Sequence, residues 1–113
     1  MDVTGYVLRD RETLSTDGVI VVGIVCNFQT KEIIGGPDVQ SRGVFYLKDA
    51  DYIVKNIADI MMNVINENVR NGVYDNMSTR MEARERIQKY VLKETGKRPM
   101  ILPAIIEINV PEE

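Results

Sequence analysis

The sequence predicts an α+β domain: a small mixed sheet of about three strands with two helices packed on one face, in the order β-β-α-α-β. Three observations predict it. A β-branched apolar run, VIVVGIVC, fills residues 19–26. Two later segments repeat their apolar residues at helical spacing, and the last segment alternates with period two.

At 113 residues, 44% of them apolar and 27% charged, the chain has the length and balance of one globular domain with one core. Residues 1–17 read as an incoming linker, and residues 18–113 as the domain. Fourteen basic residues against 17 acidic ones leave a net charge of -3, which lacks the positive field needed for sequence-independent binding to phosphates. Cys26 is the single cysteine, so no internal disulfide forms and a reducing, cytoplasmic setting is expected. The first residues carry no basic, apolar leader, and no apolar run approaches the roughly 20 residues that span a bilayer. There is no histidine. That removes the usual general base near neutral pH and the commonest ligand of catalytic zinc.

The run Val19–Cys26 is too short for a good helix and has the pattern of a strand apolar on both faces, interrupted at Gly23 by a bulge or a close backbone approach. Asp17-Gly18 supplies the turn before it. Glu32, Ile33 and Ile34 begin a second strand, which Gly35-Gly36-Pro37 is expected to end, giving a hairpin. Val44, Phe45 and Tyr46 form either a short strand or an extended lead into the next helix.

The first helix is expected to begin near Asp49 or Asp51 and to reach Asn71. Ile53, Ile57, Ile60 and Val64 form its central stripe, which Val54, Ala58, Met61, Met62, Ile65 and Val69 widen towards half the circumference. That arc exceeds what one sheet covers. Val54, Ala58, Met62, Ile65 and Val69 are therefore candidate interface residues. Gly72 closes the helix. The second helix starts at a capping box, Thr79 with Glu82, buries Ala83, Ile87, Tyr90 and Val91, and stops at Gly96 and Pro99. In the last strand Leu102, Ala104, Ile106, Ile108 and Val110 share one face and Pro103, Ile105, Glu107 and Asn109 the other. Pro103 cannot donate to a ladder and belongs at an edge or bulge.

Motifs of chemistry are sparse. Gly35-Gly36-Pro37-Asp38 lacks the lysine and hydroxyl of a phosphate loop and reads as a turn. Cys26 ends an apolar strand and reads as a buried hydrophobe. The aspartates at Asp49 and Asp51 have neither the further ligands nor the glycine of a calcium loop. Arg86, Lys89, Lys93 and Arg98 form a candidate RNA-contacting patch, with Glu82 and Glu85 intruding on it. Arg42 is expected to tie its loop to a helix through a salt bridge.

Several blocks, in order, resemble the tail of ribonuclease J: Leu8-Arg9-Asp10-Arg11, Leu14-Ser15 with Asp17-Gly18, Gly36-Pro37-Asp38-Val39, Ser41-Arg42-Gly43, and Arg98-Pro99-Met100-Ile101-Leu102-Pro103. Together they span nearly the whole chain. In one departure Val44 precedes Phe45, where the family often has Ser-Arg-Gly-Phe, so the ring moves to the opposite face of an extended segment. The resemblance implies a C-terminal accessory domain of a metallo-β-lactamase and β-CASP ribonuclease that degrades RNA from the 5′ end and also cuts internally. It implies zinc in catalytic domains that this stretch does not contain, and no catalytic, metal or cofactor residue here.

Ser41, Arg42, Gly43, Arg98, Pro99, Met100, Leu102 and Pro103 are then structural motif residues. The expected partners are the protein's own catalytic domains and further copies of itself, with RNA met through the whole enzyme and no membrane. The rival reading is an RNA-binding module that guides substrate to the nuclease.

Overall fold

The computed structural model describes residues 17–44 and 50–111. The expected linker thus lies outside the described residues except for Asp17, as do Phe45, Tyr46 and Asp49. Val44 is buried and belongs to no strand. The elements follow the expected order: β1 (Val19–Asn27), β2 (Ile33–Arg42), α1 (Asp51–Arg70), α2 (Asn76–Thr95) and β3 (Met100–Ile108).

The sheet has the order β2-β1-β3. β1 pairs antiparallel with β2, as a hairpin must, and parallel with β3, in register from Val19 opposite Met100 to Asn27 opposite Ile108. A parallel neighbour needs a long crossover, and the two helices provide it. α1 lies mainly over β2 and α2 over β3. Both helices therefore cover one face.

β2 does not end at the glycines. It runs through Gly35-Gly36-Pro37 to Arg42, because register shifts between Gly23 and Val25 and again between Val25 and Cys26 absorb the extra residues as bulges. Gly36 has φ +85°, and a side chain there would come within 2.7 Å of the Gly23 carbonyl oxygen. The irregularity expected at Gly23 is this close approach. Pro37 is accommodated because β2 is an edge strand.

β3 forms the other edge. Met100 donates its N–H to the Gly18 carbonyl, and the Ile108 carbonyl accepts from Phe28. By alternation, the backbone groups of Ile101, Pro103, Ile105 and Glu107 point away from β1. Pro103 thus sits at the edge, where its missing N–H costs no ladder bond.

α1 ends in a Schellman motif: Val73 N–H bonds Asn68 O at 3.0 Å and Gly72 N–H bonds Val69 O at 3.1 Å, with Gly72 at φ +72°. The second helix begins three residues before Thr79. Asp75 is its cap, accepting from the Ser78 N–H at 2.9 Å. Thr79, fully buried, accepts instead from Asn68 Nδ2 of α1 at 3.1 Å, and Glu82 Oε1 accepts from the same amide at 3.2 Å. The residues of the expected capping box thus tie the two helices together. Gly96 closes α2 in the left-handed conformation.

The core lies between sheet and helices. Ile20, Val22, Ile24 and Cys26 of β1 meet Ile53, Ile57, Met61, Val64 and Ile65 of α1, Ala83, Ile87 and Val91 of α2, and Ile101 and Ile105 of β3. Ile60 is only half-buried. The buried stripe of α1 is rotated by about one position, towards Met61 and Ile65.

Three distant stretches meet at the start of β1. A side chain on Gly18, at φ +86°, would collide with the Arg42 carbonyl oxygen and with the Gly43 backbone at 2.5–2.7 Å. The Asp17 carboxylate accepts from the Arg98 N–H at 2.8 Å. Gly18→Ala should therefore lower unfolding free energy by about 2 kcal/mol or more in urea denaturation, since clash and backbone strain add. Gly72→Ala, with open space at its Cβ position, should cost only about 1 kcal/mol.

Candidate functional site

The helices shelter one face of the sheet, and the sequence on the other face is also apolar. Along β1 that face carries Val19, Val21, Gly23 and Val25; along β3 it carries Leu102, Ala104, Ile106 and Ile108. The parallel register sets Val21 beside Leu102, Gly23 beside Ala104 and Val25 beside Ile106. Leu102 remains 45% exposed, Ile106 55% and Ile108 41%. Ile34 of β2 and Val110 beyond β3 are also exposed. Single exposed aliphatics are ordinary, but a contiguous stripe across two paired strands marks an interaction surface. On β2 the stripe is bordered by Asp38, Gln40 and Arg42, all exposed.

The free edge of β3 is closed to strand addition. Pro103 lacks a donor, and the Ile105 carbonyl accepts from Asn76 Nδ2 at 3.0 Å. On this side of the sheet the exposed face, rather than the edge of β3, is what is offered.

A polar cluster stands at the far end of β1 and β3. Glu107 Oε1 accepts from Lys31 Nζ at 2.9 Å, and Oε2 accepts from the Tyr74 hydroxyl at 2.7 Å and from Asn76 Nδ2 at 2.8 Å. Lys31, in the left-handed region at φ 64°, also donates to the Phe28 carbonyl and lies 4.3 Å from the Phe28 ring centre. Arg80 Nε in turn donates to Asn76 Oδ1 at 2.7 Å.

The amide of Asn76, the hydroxyl of Tyr74 and the ammonium of Lys31, in that order, hold Glu107 down to about 2. Burial, and then the bond to Glu107, push the Tyr74 hydroxyl well above its ordinary value. Burial likewise raises the Cys26 thiol, with the Glu107 charge adding to the effect. A carboxylate engaged by three donors and a neutral buried thiol are poor catalysts, and the cluster reads as a clamp joining three chain segments. Sequence reasoning missed it. Lys31 and Glu107 are 76 positions apart, and only the parallel pairing of β3 with β1 brings their segments together.

The expected site residues divide. Ile65 is fully buried inside the subunit and has no surface to offer a partner, which removes it from the candidate interface. Val54, Ala58, Met62 and Val69 are partly exposed, with Met62 and Val69 packed against the core. Arg86 is engaged by Glu82 at 2.7 Å and Glu67 at 3.4 Å, and Lys89 stands 3.6 Å from Glu85. Lys93 is exposed near the end of α2. Arg42 forms no ion pair among the described residues and donates to the Ser41 carbonyl, so the expected bridge to a helix is replaced by a local bond. Arg98, Pro99 and Met100 line a hollow beside α2 with Lys89. Among the described residues no group of three or more acidic, cysteine or histidine side chains is placed to hold a metal, and no helix is long and apolar enough to cross a membrane.

The family model of the ribonuclease J C-terminal domain matches residues 6–108. The chain is 26% identical over 107 residues to ribonuclease J2 of Bacillus subtilis, covering 95% of this chain and 19% of that protein. It is 30% identical to ribonuclease J 2 of Staphylococcus epidermidis with the same coverage, and 31% identical over 108 residues to that of Streptococcus pyogenes, covering 96% of this chain and 20% of the relative. The chain thus spans about a fifth of the length of these relatives.

The depressed value at Glu107 has a consequence for stability. A carboxyl held lower in the folded than in the unfolded chain stabilises fully above its unfolded value of about 4.5, and that stability is lost as pH falls towards 2. The loss across this window should be about 3 kcal/mol. Glu107→Gln should flatten that part of the pH profile of urea unfolding, and an unchanged profile would show that Glu107 is not the group responsible.

Proposed function

Because the chain belongs to the ribonuclease J C-terminal domain family, we propose that it is the accessory domain through which a larger ribonuclease assembles, and that it has no catalytic centre of its own. The enzyme that carries it is a zinc-dependent ribonuclease of RNA processing and decay, acting from the 5′ end and internally. Zinc belongs to its metallo-β-lactamase and β-CASP portion, and the cytoplasm is its place of work. The family assignment and the names of the relatives support the ribonuclease context; zinc, the mode of cleavage and the compartment follow from the resemblance of the motif blocks.

The observation that carries the assembly role is the uncovered apolar face of the sheet. Its occupant on this reading is a second copy of the same domain. The stripe Val21, Leu102, Ile106 is flanked by an acidic Asp38 and a basic Arg42 on the same face. A two-fold axis would bring aliphatic onto aliphatic and set Asp38 of each copy towards Arg42 of the other, the self-complementary pattern an isologous contact requires. The rival, RNA guided by Arg86, Lys89, Lys93 and Arg98, has less support, because Arg86 and Lys89 already face carboxylates.

Sedimentation of the 113-residue chain at several concentrations should show a monomer-dimer equilibrium. Ile106→Lys combined with Leu102→Lys should leave it monomeric and folded, because both positions are exposed in the single subunit. A chain that is monomeric at every concentration before any substitution would sink the self-association reading and point to the enzyme's own catalytic portion as the cover.

A further inference from the structure

The hollow beside α2 has chemistry that the assembly reading does not use. It is about 380 Å³ in volume, and Leu92, Pro99 and Met100 contribute its apolar lining while Arg84 and Arg98 supply its charge, Lys89 in the same lining being set against Glu85. The guanidinium groups of Arg84 and Arg98 form no ion pair among the described residues, although the chain as a whole is acidic. Two uncommitted guanidinium forks beside apolar surface suit a carboxylate that arrives with a hydrophobic neighbour.

The hollow does not stand alone. Arg84 also lines a second one of about 470 Å³, which continues along α2 past Met81, Glu82 and Glu85. Met81 is 52% exposed, and Met77, one turn further, is 65% exposed. Flexible, polarizable methionines make an adaptable surface for peptide side chains. The same continuation argues against nucleic acid, because a strand leaving the basic hollow in this direction would bring its phosphates onto Glu82 and Glu85. The lining residues also include no aromatic ring for bases to stack on.

We propose that this groove docks a short peptide segment of a partner protein, one that sets a carboxylate beside a bulky apolar side chain. The carboxylate meets Arg84 and Arg98, and the apolar group enters between Leu92 and Met100. The groove is lined by α2 and by the residues at the start of β3, and none of Leu102, Ile106 and Ile108 lines it, so different residues report on the two surfaces.

The test is a titration of the isotope-labelled 113-residue chain, followed by amide NMR shifts, with a blocked hexapeptide that alternates glutamate and leucine. Saturable shifts should gather at Arg84, Lys89, Leu92 and Met100. Replacing glutamate by glutamine in the peptide, or Arg84 and Arg98 by alanine in the chain, should weaken binding about tenfold or more. Lys93→Ala should leave it unchanged. Arg84→Gln alone serves as a milder second variant that keeps the fold. The proposal is overturned if the peptide produces no shifts or shifts only Leu102 and Ile106. It is equally overturned if single-stranded oligouridylate moves the groove amides in preference to the peptide.

Discussion

A central strand hydrogen-bonded along both edges yet sheltered on one face is the constraint from which the rest of this domain follows. β1 pairs with β2 and β3, so its position fixes the sheet order, and the parallel partner forces a crossover long enough to hold both helices. Those helices fill one side. Ile20, Val22, Ile24 and Cys26 are thereby enclosed, while the alternate residues Val19, Val21 and Val25 point to the uncovered side. The described residues form two layers and place no third one there. Apolar residues on that side go beyond what folding of the single subunit rewards.

Three of the blocks that carry the family resemblance, Asp17-Gly18, Ser41-Arg42-Gly43 and the one beginning Arg98-Pro99-Met100, meet at the start of that strand. Gly18 packs against Gly43 so closely that neither backbone leaves room for a side chain at Gly18. Asp17 holds the Arg98 amide, and Met100 begins the parallel ladder on the Gly18 carbonyl. Blocks separated by more than 50 positions are therefore one structural joint, in which the starts of β1 and β3 meet the end of β2. Their identities answer to backbone geometry.

Much of this was legible in the sequence because it is local. The β-branched run of β1, the period of α1 and α2, Gly72 and Gly96 at the helix ends, and Pro103 at an edge all express rules that act within a few residues. The errors have equally definite causes. Thr79 and Glu82 have the spacing of a capping box, but Asp75 lies earlier and captures the helix start, which frees Thr79 to bond across to Asn68. Gly35-Gly36-Pro37 would end a strand in isolation, yet bulging against Gly23 lets β2 continue. The breadth of α1 in sequence suggests spare surface on that helix. In the fold Ile65 is spent on the core, and the open face of the sheet exposes Val21, Leu102, Ile106 and Ile108. The Glu107 clamp was invisible for a stronger reason, since its members come from three segments that only the completed topology assembles.

The clamp and the joint occupy opposite ends of the same ladder, and together they explain how so small a sheet tolerates an open face. At the first end, β3 is fixed through Met100 and Gly18; at the other, Phe28 bonds Ile108 and Glu107 gathers Lys31, Tyr74 and Asn76. Asn76 also holds the Ile105 carbonyl, so the strand that carries Leu102, Ile106 and Ile108 on the open face is anchored at its ends and blocked at this point of its edge. Slippage or strand addition, the usual failures of a sheet with exposed apolar residues, would have to break buried or charge-assisted hydrogen bonds first. What β3 offers is contact through its face. A face presented by a strand fixed at both ends favours one defined mode of contact over slippage along the ladder.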